Sequence, residues 1–262
     1  VQKIVSLSVV LLFLSFQVSG QILNIEKFRI DKDTFDVWSG NIGIGFSTKK
    51  QQTNITTLNS NSNVVYLSKH HSYMNISYIK FIGVEESDLL SEGYTHFRVN
   101  FLRKKFLSYE PFLQLQYDLG RGLLRRELYG FSFRAKLLAT PKTLLTFNSG
   151  AMYEYELWKG QVIRYARPEN PELGETTFIK STSNIALRGD VAKNLNVLFV
   201  TYYQARFERF FVPRVITDIQ VNIVISKHFT LSNQFVSTYD ALPILFDNQF
   251  IFSFTTNLLV KF

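Results

Sequence analysis

Apolar and polar residues alternate with a period of two through segment after segment of this chain, and after residue 20 no apolar stretch is long enough to cross a membrane as a helix. Val215, Thr217, Ile219, Val221, Ile223 and Ile225 alternate with Asp218, Gln220, Asn222 and Ser226. Trp38, Gly40, Ile42, Ile44 and Phe46 alternate with Ser39, Asn41, Gly43, Gly45 and Ser47. The same rule places Tyr109, Leu113, Leu115 and Tyr117 opposite Glu110, Gln114 and Gln116, and Phe147, Ala151, Tyr153 and Tyr155 opposite Asn148, Glu154 and Glu156. Successive side chains of a strand point to opposite sides, so each segment reads as a strand with one apolar and one polar face. One such strand fits any half-exposed antiparallel sheet. Repetition along the whole chain, with 25 Phe and 13 Tyr and 46% hydrophobic residues yet never a long apolar run, fits a barrel wall facing lipid on one side and a polar lumen on the other.

The pattern predicts an all-β fold, a transmembrane antiparallel up-and-down β-barrel of about 12 strands. The strands fall near 36–50, 53–69, 72–84, 93–104, 106–118, 122–138, 142–157, 175–189, 194–208, 213–227, 229–241 and 247–262. The second is the weakest, because Ser60 and Ser62 interrupt its apolar face. The links offer an independent check. Val84–Glu92, Arg121–Arg126, Lys159–Thr176, Ala205–Arg214 and Asp240–Asn248 are the longer or more polar ones, and tight turns lie between them. Long outer loops alternating with short periplasmic turns is the barrel pattern. The short turns carry Lys69, Lys104, Lys105, Lys142, Lys193 and Lys227, which we ascribe to solubility at the periplasmic rim.

The ends of the chain support export. Lys3 precedes an apolar run from Ile4 to Phe16, and the small residues Val18-Ser19-Gly20 follow. A positive start, a short apolar core and a small-residue cleavage site make 1–20 a cleavable signal peptide. Residues 21–35 then either hang in the periplasm or plug the lumen, and 36–262 form the barrel, placing the chain in a bacterial outer membrane. In the last strand Phe262, Val260 and Leu258 share one face with Thr256, Phe254 and Phe252. A terminal Phe above alternating apolar residues resembles the signal that the barrel assembly machinery reads. The absence of cysteine excludes disulfides. The formal charge of +8 is scattered over turns and loops without a concentrated patch, so nucleic acid is not an expected partner. Outer-membrane lipid, lipopolysaccharide and other envelope proteins are.

Chemistry is sparse. His70, His71 and His228 fall in turns, and His96 lies mid-strand, so no histidine is placed to activate a hydroxyl for lipid hydrolysis at the rim. Neighbours on a strand point apart, so His70 and His71 do not share an ion, and neither a metal nor a cofactor is expected. Glu154 and Glu156 share a face, but lumen carboxylates are more often partners of cations across a barrel. Gly43-x-Gly45 lies inside a strand with no following helix, which excludes a phosphate loop. What remains is the lumen, for which alternation nominates His96, Arg98, Glu110, Gln114, Arg134, Glu154, Glu156, Lys180, Arg188, Asp218 and Gln220. Asn41, Gln116, Asn184, Gln204, Asn222 and Gln234 join them.

Asn24-Ile25-Glu26, Trp38-Ser39-Gly40, Phe133-Arg134-Ala135-Lys136-Leu137-Leu138, Met152-Tyr153-Glu154-Tyr155-Glu156 and the Phe-terminated last strand resemble the domain-of-unknown-function 481 family of YdiY-like, salt-induced outer-membrane proteins. The Gln21 start resembles proteins of the Bacteroidetes. Such membership implies an outer-membrane barrel and no established activity. The expectation is therefore a non-enzymatic barrel with a polar lumen, passing small hydrophilic solutes through a narrow channel. The alternative is a sealed structural or accessory subunit of a larger envelope complex, with a lipid hydrolase at the rim less favoured.

Overall fold

The computed structural model describes residues 23–30, 34–50, 53–84, 87–160, 164–244 and 249–260, with side chains omitted over 84–90. The signal peptide, Gln21 and Phe262 lie outside the described residues. Strands dominate: β1 (Val37–Lys50), β2 (Asn54–Leu67), β3 (Ser72–Val84), β4 (Ser87–Asn100), β5 (Leu107–Asp118), β6 (Leu123–Ala139), β7 (Thr143–Lys159), β8 (Ala166–Arg167), β9 (Asn170–Ala192), β10 (Leu195–Arg206), β11 (Arg214–Val224), β12 (Phe229–Asp240) and β13 (Phe250–Val260). All are joined in one antiparallel sheet in chain order, with two-residue β8 set aside on the edge of the β9 hairpin. The fold is an all-β, up-and-down meander.

The structure corrects the expected boundaries in two links. β4 starts at Ser87 rather than 93, because the chain re-pairs with β3 across a bulge between Ile82 and Gly83. Within the expected loop 159–176, residues 166–167 and 170–176 are strand. β9 begins at Asn170 and Leu173–Gly189 pairs with β7, while β8 folds back on Asn170 and Gly174. Ser60 and Ser62 do not weaken β2, which is paired on both sides over almost its full length. Pro111 has no N–H to give, and the β4–β5 ladder stops beside it at Arg98↔Phe112, resuming as a bridge between Phe101 and Tyr109.

The expected ring is not closed. Among the described residues β1 pairs only with β2, and β13 only with β12. The sheet nevertheless curls far enough to wrap the segment ahead of β1. Ile25 packs on Val65 and Leu67 of β2 and on Met74 and Ile76 of β3, while Asn24 reaches Asp218 on β11. One face is therefore an interior and the other the outside.

The two ends of the meander differ. At the end where β1 starts and β13 stops, the connections are tight: 68–71, 101–106, 140–142, 193–194 and 225–228. We call this the terminal end. At the other, the loop end, lie a turn at Leu119–Arg121, residues 160 and 164–169, a turn at Phe207–Arg209, and residues 241–244 and 249. The Leu119–Arg121 turn is capped by Asp118, whose carboxylate accepts from Arg121 N at 3.2 Å, and closes on Gly122 at φ 78°, a backbone that favours glycine.

Polarity is inverted relative to a protein folded in water. Outside, Trp38, Ile42, Ile44 and Phe46 of β1 are each 70–77% exposed, and Phe133, Ile179, Phe252 and Phe254 are 52–64% exposed. Inside, Glu110, Arg126 and Glu156 have no exposed surface at all.

Candidate functional site

A short turn of 3-10 helix, Ile25–Phe28, lies inside the curled sheet. Asn24 starts it, its side-chain carbonyl accepting from Glu26 N at 3.1 Å, and this fixes the direction in which the next side chains leave. Of the two expectations for the leader segment, the structure places 23–30 in the interior.

Each polar side chain of the segment meets a partner on a different strand. The Arg134 guanidinium of β6 grips Glu26 with both amino groups, at 2.7 and 3.1 Å. Arg29 donates to Glu26 at 2.7 Å and to Glu110 of β5 at 2.5 Å. On the far side, Asn24 donates to Asp218 at 2.9 Å and Lys27 pairs with the same carboxylate at 2.6 Å. The backbone is held as well: Arg188 donates to Arg29 O, and Arg103 to Thr34 O, both at 2.6 Å. Burial alone would push the Glu26 carboxyl up. The Arg134 and Arg29 guanidiniums outweigh that and hold it down at about 2.

Around this latch the wall is densely hydrogen-bonded. Glu110 also accepts from Arg98 at 2.8 Å and from Asn100 at 2.6 Å. His96 lies 3.0 Å from Gln114, receives Arg98 Nε at 3.3 Å and stacks on Phe112. It is a packed interior histidine. Gln114 donates on to Gln116 at 3.1 Å, and Gln234 donates to Asp218 at 3.1 Å.

Nearer the loop end a second ionic cluster is built from the wall alone. Glu154 and Glu156 of β7 face Arg126 of β6, Lys180 of β9 and Arg214 of β11. Arg214 also binds Asp240 at 2.7 Å, and Trp158 donates to Glu156 at 3.1 Å. Above it the loops meet. Ile244 packs with Leu123, Trp158 and Tyr165, and Arg164 donates from its backbone to Ile244 O and from its side chain to Pro243 O. The cavities described are small: about 170 Å³ at the terminal end, beside Arg29 and Arg98, and about 30 Å³ each at two deeper positions.

Of the residues that alternation nominates, His96, Arg98, Glu110, Gln114, Arg134, Glu154, Glu156, Lys180 and Asp218 are all buried in the interior. Gln220 is half-buried, donating to Asn222 at 3.4 Å, and Arg188 stays exposed along most of its length while its tip reaches the segment. Glu154 and Glu156 are not a pair of free acids, since the same cations bridge them. Val260 and Leu258 are exposed on the outer face of β13. Sequence reasoning missed Arg126 and Arg214, although they share parity with Arg134 and Asp218 on their own strands. It also missed Glu26 and Arg29, which lie outside any alternating segment and carry no periodic signal. Among the described residues no group of three or more His, Cys, Asp or Glu side chains is arranged to hold a metal ion.

No protein-family model matches the chain, and neither a curated protein nor a solved structure matches it.

Proposed function

We propose that the chain is an integral β-barrel of a bacterial outer membrane, with its lumen stoppered by its own N-terminal segment. In this reading it serves the envelope as a sealed structural or accessory barrel, through its wall and rims, and not as an open pore. The observation that carries the reading is the inversion of polarity. Phenylalanine and isoleucine cover the outside while carboxylates and guanidiniums are dehydrated within, an arrangement that water penalises on both faces and lipid rewards on the outer one. The sheet edges fit the same view. In hydrocarbon every backbone N–H and C=O needs a partner, so the free edges of β1 and β13 join each other in the bilayer.

The spacing of outward aromatic residues agrees. Tyr109 and Tyr117 bracket the outer face of β5, and Phe229 and Tyr239 that of β12. At ~3.4 Å per residue these pairs are about 27 and 34 Å apart along the strand. A tilt of about 40° brings both close to the ~25 Å apolar band of outer-membrane barrels.

Sealing is favoured over conduction by the two ionic layers. The Glu26–Arg134 latch stands across the interior near the terminal end, and the Glu154/Glu156 cluster crosses it near the loop end. The test is planar-bilayer recording of the purified protein, after heating has been shown to shift its gel mobility as it does for folded barrels. A silent bilayer is expected. Discrete, reproducible conductance steps from the unaltered protein would overturn sealing and restore a narrow channel for hydrophilic solutes. Barrel assembly machinery and other envelope proteins are the partners this reading implies.

A further inference from the structure

Every tight turn at the terminal end carries an exposed lysine: Lys69, Lys105, Lys142, Lys193 and Lys227. They stand on short, hydrogen-bonded turns. Ser68 N donates to His71 O at 2.9 Å, Lys105 N to Leu102 O at 2.9 Å, Thr140 N to Thr143 O at 2.9 Å and Ser226 N to Phe229 O at 3.2 Å. The fourth turn is only Lys193-Asn194 between β9 and β10. The five lysines therefore follow one another along one end of the sheet. On the outer face, the strand residues nearest these turns are largely aromatic and apolar. Trp38, Tyr66 and Tyr73 stack in a row beneath Lys69, and Phe101 and Tyr109 do so beneath Lys105. Val191 and Phe229 stand two residues from Lys193 and Lys227 and are 48% and 43% exposed. Among the described residues of the loop end, Arg125, Arg167 and Arg209 are interspersed with Glu127, Glu175 and Glu208.

Along the wall the order is hydrocarbon, aromatic, ammonium. That is the order of depth in one leaflet of a bilayer: acyl chain, interfacial zone, phosphate. We infer that the terminal rim is a binding ring for anionic phospholipid headgroups, with at least one lysine of each turn on the phosphate plane of the leaflet it sits in. This rests on the membrane reading above and adds to it a lipid class and a rim.

The full chain is inserted into vesicles of phosphatidylcholine containing a minority of phosphatidylglycerol, and insertion is checked by heat-modifiable mobility. The lipid retained by the protein is then measured by native mass spectrometry. An enrichment of phosphatidylglycerol of about threefold or more is expected, falling towards parity in high salt. It should also fall when the five lysines are replaced (K69Q, K105Q, K142Q, K193Q and K227Q). A matched loop-end variant, R125Q, R167Q and R209Q, should keep it. Insertion without enrichment, or equal loss in both variants, would each overturn the ring while leaving the membrane reading standing. Failure of the unaltered chain to insert would overturn both.

Discussion

Glu26 is a carboxylate buried at the centre of a polar interior, with two guanidiniums on its oxygens. Its value of about 2 in the docked state lies below the ordinary 4.5. The docked segment therefore binds the proton less tightly than the free one. The stabilisation is complete above about pH 4.5 and lost as pH falls through 2. Hydrogen exchange over 23–30 should show protection at pH 6 that is progressively lost below pH 4, and Glu26→Gln should show the weakened pattern at both. The substitution removes one charge and leaves Arg134 and Arg29 dehydrated beside a neutral amide, at a cost of about 3–5 kcal/mol to docking. Glu26→Ala should cost no less. Unchanged exchange in either variant would mean that the segment is held by Ile25 and its apolar neighbours alone.

Strands carry the two-sidedness, and most of it was legible. Alternation alone put Glu110, Gln114 and Glu154 on one side and Tyr109, Leu113 and Tyr153 on the other, because the pleat leaves no third choice. Boundaries were legible wherever a turn residue interrupts the pattern, as at Lys193-Asn194. They failed over 84–92 and 159–176, where polar residues at a hairpin tip look the same to the eye whether paired or looped. Asn170, Glu172 and Glu175 lie in β9 on the strength of backbone pairing that no side chain announces. The latch was illegible for another reason: Glu26 and Arg29 matter through partners 108 and 81 residues away, and local pattern holds no trace of them. Two predictions belong at this scale. Ile219→Arg, on the outer face, should cost about 2–4 kcal/mol of stability in lipid, and Gln220→Arg, facing inward, much less. Equal costs, measured by denaturant unfolding in vesicles, would mean the facing is reversed. At Gly150 a Cβ would stand 2.0 Å from Phe131 O and 2.6 Å from Ser132 Cα. Backbone cannot swing aside as a side chain does, so Gly150→Ala should separate β6 from β7 and lower stability by about 1–3 kcal/mol in the same assay.

For the molecule as a whole, β1 and β13 are the two edges of the sheet and define its seam. Closure in lipid would bring the outer face of β1 beside that of β13, both lined by residues of even number from Trp38 to Phe46 and from Phe250 to Val260. The chain has no cysteine, so a pair introduced across the seam has a clean background. Ile42→Cys combined in turn with Phe252→Cys, Phe254→Cys or Thr256→Cys should give a rapid intramolecular disulfide in one register when the protein is in vesicles. Cross-linking in none of the three, or only between molecules, would point to a sheet completed by another chain.

The stopper precedes β1, yet its anchors are spread along the chain out to Asp218, 194 residues beyond Asn24. It precedes β5, β6 and β11 in the chain and can dock only after they have gathered around it. Contacts of such long range form late, since each must await closure of the loop between its ends. Docking of residues 23–30 is therefore expected to come late, and a mutation at Glu26 or Arg29 should leave the rate of sheet formation unchanged while arresting that final step.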